Sequence, residues 1–265
     1  MKEGPVHALS KRELFRRVLA LRDAGKLYDR KKDYFEDGFR GSIARFCEIA
    51  YALRGCRRVL DVGAGGGLLL SLLTELGHEC HAVDINDNTD VFPEIFRDKK
   101  IAFRTCNVEA DPIPYPDGFF DAVTCCQVLE HFTYSHLGAV REMRRVLRPG
   151  GLLEIDVPNA ACFRNRSRLL RGKHITWDYA KHYLHAEPLM YKGMPFFPDR
   201  HNRDFTIGEL RLLMEEAGFR VVDIHFLKST RYREGLAAFR TLGTALRDAV
   251  PSFRKSIIAF GERVG

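Results

Sequence analysis

Residues 59–67 read Val-Leu-Asp-Val-Gly-Ala-Gly-Gly-Gly, an apolar run that ends in the acid Asp61 and then alternates glycines at 63, 65 and 67. Glycine admits a turn with positive φ and lets a ligand reach the main chain without meeting a Cβ. That is what a nucleotide-like cofactor needs above a strand end. A dinucleotide fingerprint does not fit, because its third small residue falls on Leu68, and a P-loop does not fit, because no Gly-Lys-Ser/Thr follows. The carboxylate of Asp61 suits a cationic ligand and would repel a pyrophosphate. Further on, Asp84 closes a second apolar run, and an acceptor-only carboxylate matches the paired hydroxyls of a ribose as well as it caps a turn. A third cluster is Gln127-Val-Leu-Glu130-His131. Histidine titrates near neutrality, so His131 can take a proton from a hydroxyl nucleophile or serve as a hydrogen-bonded structural residue.

These groups need a scaffold, and the chain supplies its pattern. From Arg58 short apolar runs alternate with helical periodicity, which argues for βα units and a mostly parallel sheet. Strands are expected at 58–62, 80–85, 101–106, 120–127 and 152–157, with helices at 68–76 and 137–147. Before them, residues 1–55 read as an N-terminal helical cap, with one helix carrying Leu14, Phe15, Val18 and Leu21 and a second over 42–53. The charged, aromatic stretch 28–41 separates the two. Residues 159–205, rich in Arg, His and aromatics, break the rhythm and read as a lid inserted into the 56–265 domain. Thr206 and Glu209 then have the spacing of a capping box, and Gly218 suits a helix C′ position. A strand at 221–227, a helix at 236–246 and a last strand at 256–260 complete the expectation.

The Asp-x-Gly-x-Gly-x-Gly loop resembles motif I of class I S-adenosylmethionine (SAM) dependent methyltransferases. With Asp84, the Gly118-Phe-Phe-Asp121 entry to strand 4 and the Gln127–His131 segment, the resemblance spans about residues 57–222. The Gln127–His131 segment resembles the end of strand 4 in methyltransferases of the ubiquinone-biosynthesis O-methyltransferase type. The segment His201-Asn-Arg-Asp-Phe-Thr206 is similar to methyltransferases of surface-polysaccharide and lipid-linked glycan pathways. The resemblance implies a Rossmann-like α/β sheet with an antiparallel last strand and helices on both faces. It further implies SAM contacts at Asp61, Gly63, Ala64, Gly65, Gly67, Asp84, Ile85, Asn107, Val108 and Gln127. Ile85 would pack on adenine, Asn107 and Val108 would meet its edge, and His131 with Glu130 would serve catalysis. Small-RNA 2′-O-methyltransferases carry Glu-x-x-Glu-His at this place and hold magnesium there; Gln127 replaces the first Glu here, so no metal is expected. His182 and His201 of the lid could complete such a site or be ordinary surface residues.

Bulk properties narrow the setting. The 265 residues, 45% of them hydrophobic, suffice for one large α/β domain with additions. A net charge of +7 favours anionic partners or simply solubility. Seven cysteines, at 47, 56, 80, 106, 125, 126 and 162, form no C-x-x-C pair and read as reduced thiols of a cytoplasmic protein. Neither an eighteen-residue apolar run nor a signal-peptide core occurs. The expected activity is O-methylation of a small molecule, a sugar or a lipid-linked glycan. RNA modification through the basic surface is the alternative, although nucleic acid is not the expected partner. Arginine-bearing helices at 12–22 and 236–247 could touch anionic headgroups or be ordinary solvated faces. The oligomeric state is not legible.

Overall fold

The computed structural model describes residues 6–28, 33–176, 178–228 and 247–265. Helix α1 (Lys11–Asp23) opens with a capping box between Ser10 and Glu13 and buries Leu14 and Val18. Helix α2 runs from Asp33 to Ala52, so it starts well before the expected Ser42. Two glycines and several charges hide this helix from propensity. Burial of Phe35 and Phe39, one turn apart, supplies what propensity lacks. Both helices share one core with the sheet, since Leu14, Val18, Phe35 and Ile49 lie in the same apolar cluster as Leu70, Leu72 and Ala82.

The parallel strands are β1 (Arg58–Val62), β2 (Glu79–Asp84), β3 (Ala102–Thr105), β4 (Phe120–Cys126) and β5 (Leu147–Pro158). Helices α3 (Leu68–Glu75), α4 (Pro93–Phe96) and α5 (His136–Val146) connect them. β5 begins five residues earlier than the apolar run Leu152–Val157, because Leu147 already pairs with Phe120 before a register shift. Beyond β5 come α6 (Phe163–Leu170), a short π-helix at Ala180–Leu184, and a hairpin of β6 (Leu189–Tyr191) and β7 (Met194–Phe196). An isolated bridge joins Asn159 to Phe205, so the two ends of this segment lie side by side.

Helix α7 (Ile207–Glu216) carries the expected Thr206–Glu209 capping box, and Gly218 takes the positive φ of a helix stop. Strands β8 (Phe219–Phe226) and β9 (Ser256–Arg263) complete a seven-stranded sheet in the order β3-β2-β1-β4-β5-β9-β8. β9 is antiparallel to both neighbours. This is the expected Rossmann-like α/β sheet with one reversed strand at the end. The helix expected at 236–246 lies outside the described residues. Strand order reverses between β1 and β4, and a crevice therefore opens over their carboxyl ends.

Candidate active site

The loop after β1 is shaped by its glycines in different ways. Gly63 has φ +74°, and a Cβ there would strike the Val128 side chain, so the loop and the turn after β4 approach only because that atom is missing. A Cβ on Gly67, at φ +72°, would strike Ile95 and Phe96. The missing Cβ of Gly67 therefore lets α3 and α4 close on the loop. Ala64 packs into the core. Gly65 donates its N–H to Asp84 Oδ2 at 2.9 Å, and Asn86 donates to Asp84 Oδ1 at 2.9 Å. Asp84 thus ties the loop to the end of β2 while each oxygen retains a further lone pair.

A cleft of about 230 Å³ lies above these strand ends. It is lined by Gly63, Asp84, Ile85, Asn107, Val108, Gln127 and His131, among others. Six residues expected at the cofactor and the expected base thus come together. Asn107 is buried, and its Nδ2 has no partner among the described residues. Asp61 sits under the loop, accepting a hydrogen bond from the Thr124 hydroxyl at 2.7 Å. Burial pushes its carboxyl up to about 7, and a cation above it would restore the charge.

Gln127 follows β4 with φ +55°, a left-handed conformation that costs a non-glycine residue about 1–3 kcal/mol. The partner that holds it is Asp156. The Gln127 N–H donates to the Asp156 carbonyl at 2.9 Å, and the side-chain amide donates to Asp156 Oδ1. Arg45 of α2 reaches the same Oδ1 at 3.1 Å. Glu154 stands two residues back on β5, and Cys126 donates to it. Burial, then the neighbouring Asp156, raise Glu154 far above the carboxylate range, so it carries a proton. Burial opposes charge on Arg45, but Asp156 and the other acidic groups around it together more than restore it. Helix α2 is thereby tied to the turn after β4.

The turn Leu129–His131 follows. Glu130 is 1% exposed, and its Oε2 has no partner among the described residues. Burial pushes its carboxyl up to about 8. His131 Nδ1 lies 3.1 Å from the Arg200 carbonyl. A carbonyl only accepts, so Nδ1 carries the proton and Nε2 keeps its lone pair. Burial, then His201, lower the His131 pKa, so the ring is neutral at physiological pH. The rings of His131 and His201 meet edge to face, 4.8 Å between centroids. His201 in turn lines a second cavity of about 550 Å³ with His174, Ile175, Thr176, Tyr179, Tyr183 and Arg203. A residue lining the 230 Å³ cleft and one lining the second cavity therefore pack against each other. Ligand-capable atoms of Glu130, His131 and His201 lie within 4.8 Å of one another, and those of Cys126, Glu154 and Asp156 do likewise. The first group could hold a divalent ion; the second already contains the Arg45 charge.

His201, read from sequence either as a complement to a metal site or as a surface residue, stands beside the expected base, whereas His182 lies on the π-helix outside both cavities. Arg45, Thr124, Glu154 and Asp156 escaped the sequence reading. For the two acids a signal existed, since Leu-Leu-Glu-Ile-Asp-Val places two carboxylates on one face of an inner strand.

Residues 11–224 match the family model of a methyltransferase domain. The ubiquinone/menaquinone biosynthesis C-methyltransferase UbiE of Pseudomonas putida is 28% identical over 218 residues, covering 76% of this chain and 80% of the relative. Its counterpart from Pseudomonas paraeruginosa is 30% identical over 214 residues, 75% of this chain and 78% of the relative. Among solved structures, a Haloferax volcanii methyltransferase complexed with the activator Trm112 superposes with a TM-score of 0.58 at 16% identity, covering 88% of this chain and 97% of its own. A Burkholderia thailandensis 1,6-didemethyltoxoflavin N1-methyltransferase with bound S-adenosylhomocysteine (SAH) gives 0.53 at 18%, covering 99% and 93%. The glycine loop, the acid after β2, the sheet order and the matching family model agree: the chain belongs to the class I SAM-dependent methyltransferases, and S-adenosylmethionine is its cofactor.

Proposed function

We propose that this enzyme transfers the SAM methyl group to a hydroxyl oxygen of a ring-bearing acceptor, a small molecule, sugar or lipid-linked glycan, seated in the 550 Å³ cavity. The observation that carries the reading is the packing of His131, which lines the cleft, against His201, which lines that cavity. Asp84 takes the ribose hydroxyls, Ile85 the adenine face, Asn107 and Val108 its edge, and Asp61 faces the cationic end of the donor. The acceptor oxygen meets His131 Nε2 and gives up its proton there. In-line attack on the sulfonium methyl forms the C–O bond, and the C–S electrons return to sulfur, leaving neutral SAH. Tyr179 and Tyr183, stacked at 5.9 Å, offer flat faces to a ring.

Incubation with isotopically labelled SAM and separate small-molecule, lipid, glycan and RNA extracts, followed by NMR of the labelled product, tests the reading. A methyl resonance on oxygen is expected. A methyl on carbon, as the names of the curated relatives would suggest, or label only in RNA, would overturn it. The Asp84→Ala protein should bind SAH about 10²-fold more weakly by calorimetry, because it loses charge-assisted bonds to two hydroxyls. Undiminished affinity would remove Asp84 from the donor site.

A further inference from the structure

Helix α6 is inside out. Its buried residue is Asn165, whose amide donates to the Ala160 carbonyl at 3.1 Å and to Asp204 Oδ2 at 3.2 Å. Leu169 and Leu170 point to solvent, Leu170 at 89% exposure, and Phe163 is partly exposed beside the Phe253 ring. A helix on a soluble surface ordinarily does the reverse, hiding its apolar side and wetting its polar one. Apolar side chains displayed in this way fit a partner that is itself apolar at some depth.

Charge says which partner. Residues 157–177 contain Arg164, Arg166, Arg168, Arg171 and Lys173 and no Asp or Glu. Arg166 and Arg171 donate to carbonyls of the helix and its approach, Ala161 and Ser167. Arg168 donates to the carbonyls of His174 and Thr176. Hydrogen bonds to neutral carbonyls leave the positive charges uncompensated, and among the described residues none of these three or Lys173 pairs with a carboxylate. Two copies meeting through this face would press like charges together, which disfavours a second chain. Nucleic acid would engage the arginines but gain nothing from Leu169 and Leu170. A bilayer with acidic headgroups takes both, the leucines below the headgroup level and the guanidinium groups among the phosphates.

We propose that α6 and the turn after it, residues 163–173, dock this enzyme on an anionic lipid surface. The consequence for the reaction lies in Arg168. The carbonyls it holds belong to His174 and Thr176, which line the second cavity, so the docking helix and the acceptor wall are one unit. An acceptor resident in the membrane would reach the cavity without crossing bulk water. This deepens the proposed function and rests on its choice of that cavity for the acceptor. It differs from the surfaces expected from sequence, since α1 turns its apolar face into the core and 236–246 lies outside the described residues.

Flotation of the full-length protein with phosphatidylcholine vesicles, and with vesicles containing phosphatidylglycerol, tests the proposal. Flotation is expected with the acidic vesicles alone, falling steeply with salt. Leu169→Asp/Leu170→Asp should weaken it more than about tenfold, and Arg166→Gln or Arg171→Gln about fivefold each, with SAH affinity unchanged as the folding control. The proposal fails if wild-type protein that binds SAH stays unbound on acidic vesicles, or if the double variant floats as well as wild type. It also fails if the double variant instead loses a dimer or an RNA complex. A soluble acceptor methylated on oxygen by a protein that never floats would sink the docking surface and leave the O-methylation reading intact. Flotation with a carbon-methylated product would do the opposite.

Discussion

His131→Ala lowers kcat by roughly 10²- to 10⁴-fold, the usual contribution of a positioned general base, and leaves SAH affinity within a few-fold of wild type. The expectation follows from the tautomer. The Arg200 carbonyl at 3.1 Å fixes the proton on Nδ1, so the lone pair stays on Nε2. The depressed pKa, from burial and then the neighbouring His201, keeps that lone pair available through neutral pH. Wild-type kcat should therefore fall only as acid protonates the ring, below the ordinary histidine range, and the variant should lack that acidic limb. Single-turnover rates across pH, beside calorimetry with SAH, check both parts. An unchanged rate, or an acidic limb that survives in the variant, removes His131 from proton transfer.

The second large effect is on stability. Arg45→Met should cost about 3–5 kcal/mol, because it leaves Asp156 buried without its counter-charge. Asp156 is fully buried and sits beside Glu154, so the stranded charge has no water to turn to. The same loss slackens the bond that holds Gln127 in its left-handed turn. Adding Asp156→Asn to Arg45→Met removes the stranded charge and should recover most of the loss. Urea unfolding of the wild type and the two variants measures this. A drop of less than about 1 kcal/mol in Arg45→Met, the range of exposed pairs, would show that the pair is solvated after all.

The sheet was legible because its strands are uninterrupted apolar runs between turn residues, a pattern that buried parallel strands impose. The glycine loop was legible because positive φ admits few other residues. What it did not disclose is the division of labour within it. Gly67 looks the same in sequence as Gly63, yet the space it clears is filled by Ile95 and Phe96. The start of α2 was hidden because Phe35 and Phe39 are helical through burial, and burial depends on a core assembled from distant chain. Arg45 left no mark for a similar reason: its partner is 111 residues away. In sequence His201 could complete a metal site or lie on the surface of an irregular segment, and only the path of residues 196–205 back past the turn after β4 brings it to His131.

The segment between β5 and α7 leaves and re-enters the scaffold at one point, where Asn159 bridges Phe205 and the Ala160 N–H donates to the Phe205 carbonyl at 2.8 Å. A stretch of chain whose ends are already fastened together can change in length at a cost that grows only with the logarithm of its size. The residues proposed for the donor lie at or just after the ends of β1, β2, β3 and β4, whereas the cavity proposed for the acceptor is lined within this one segment. On that assignment evolution, or an engineer, can exchange what receives the methyl group without rewriting what delivers it.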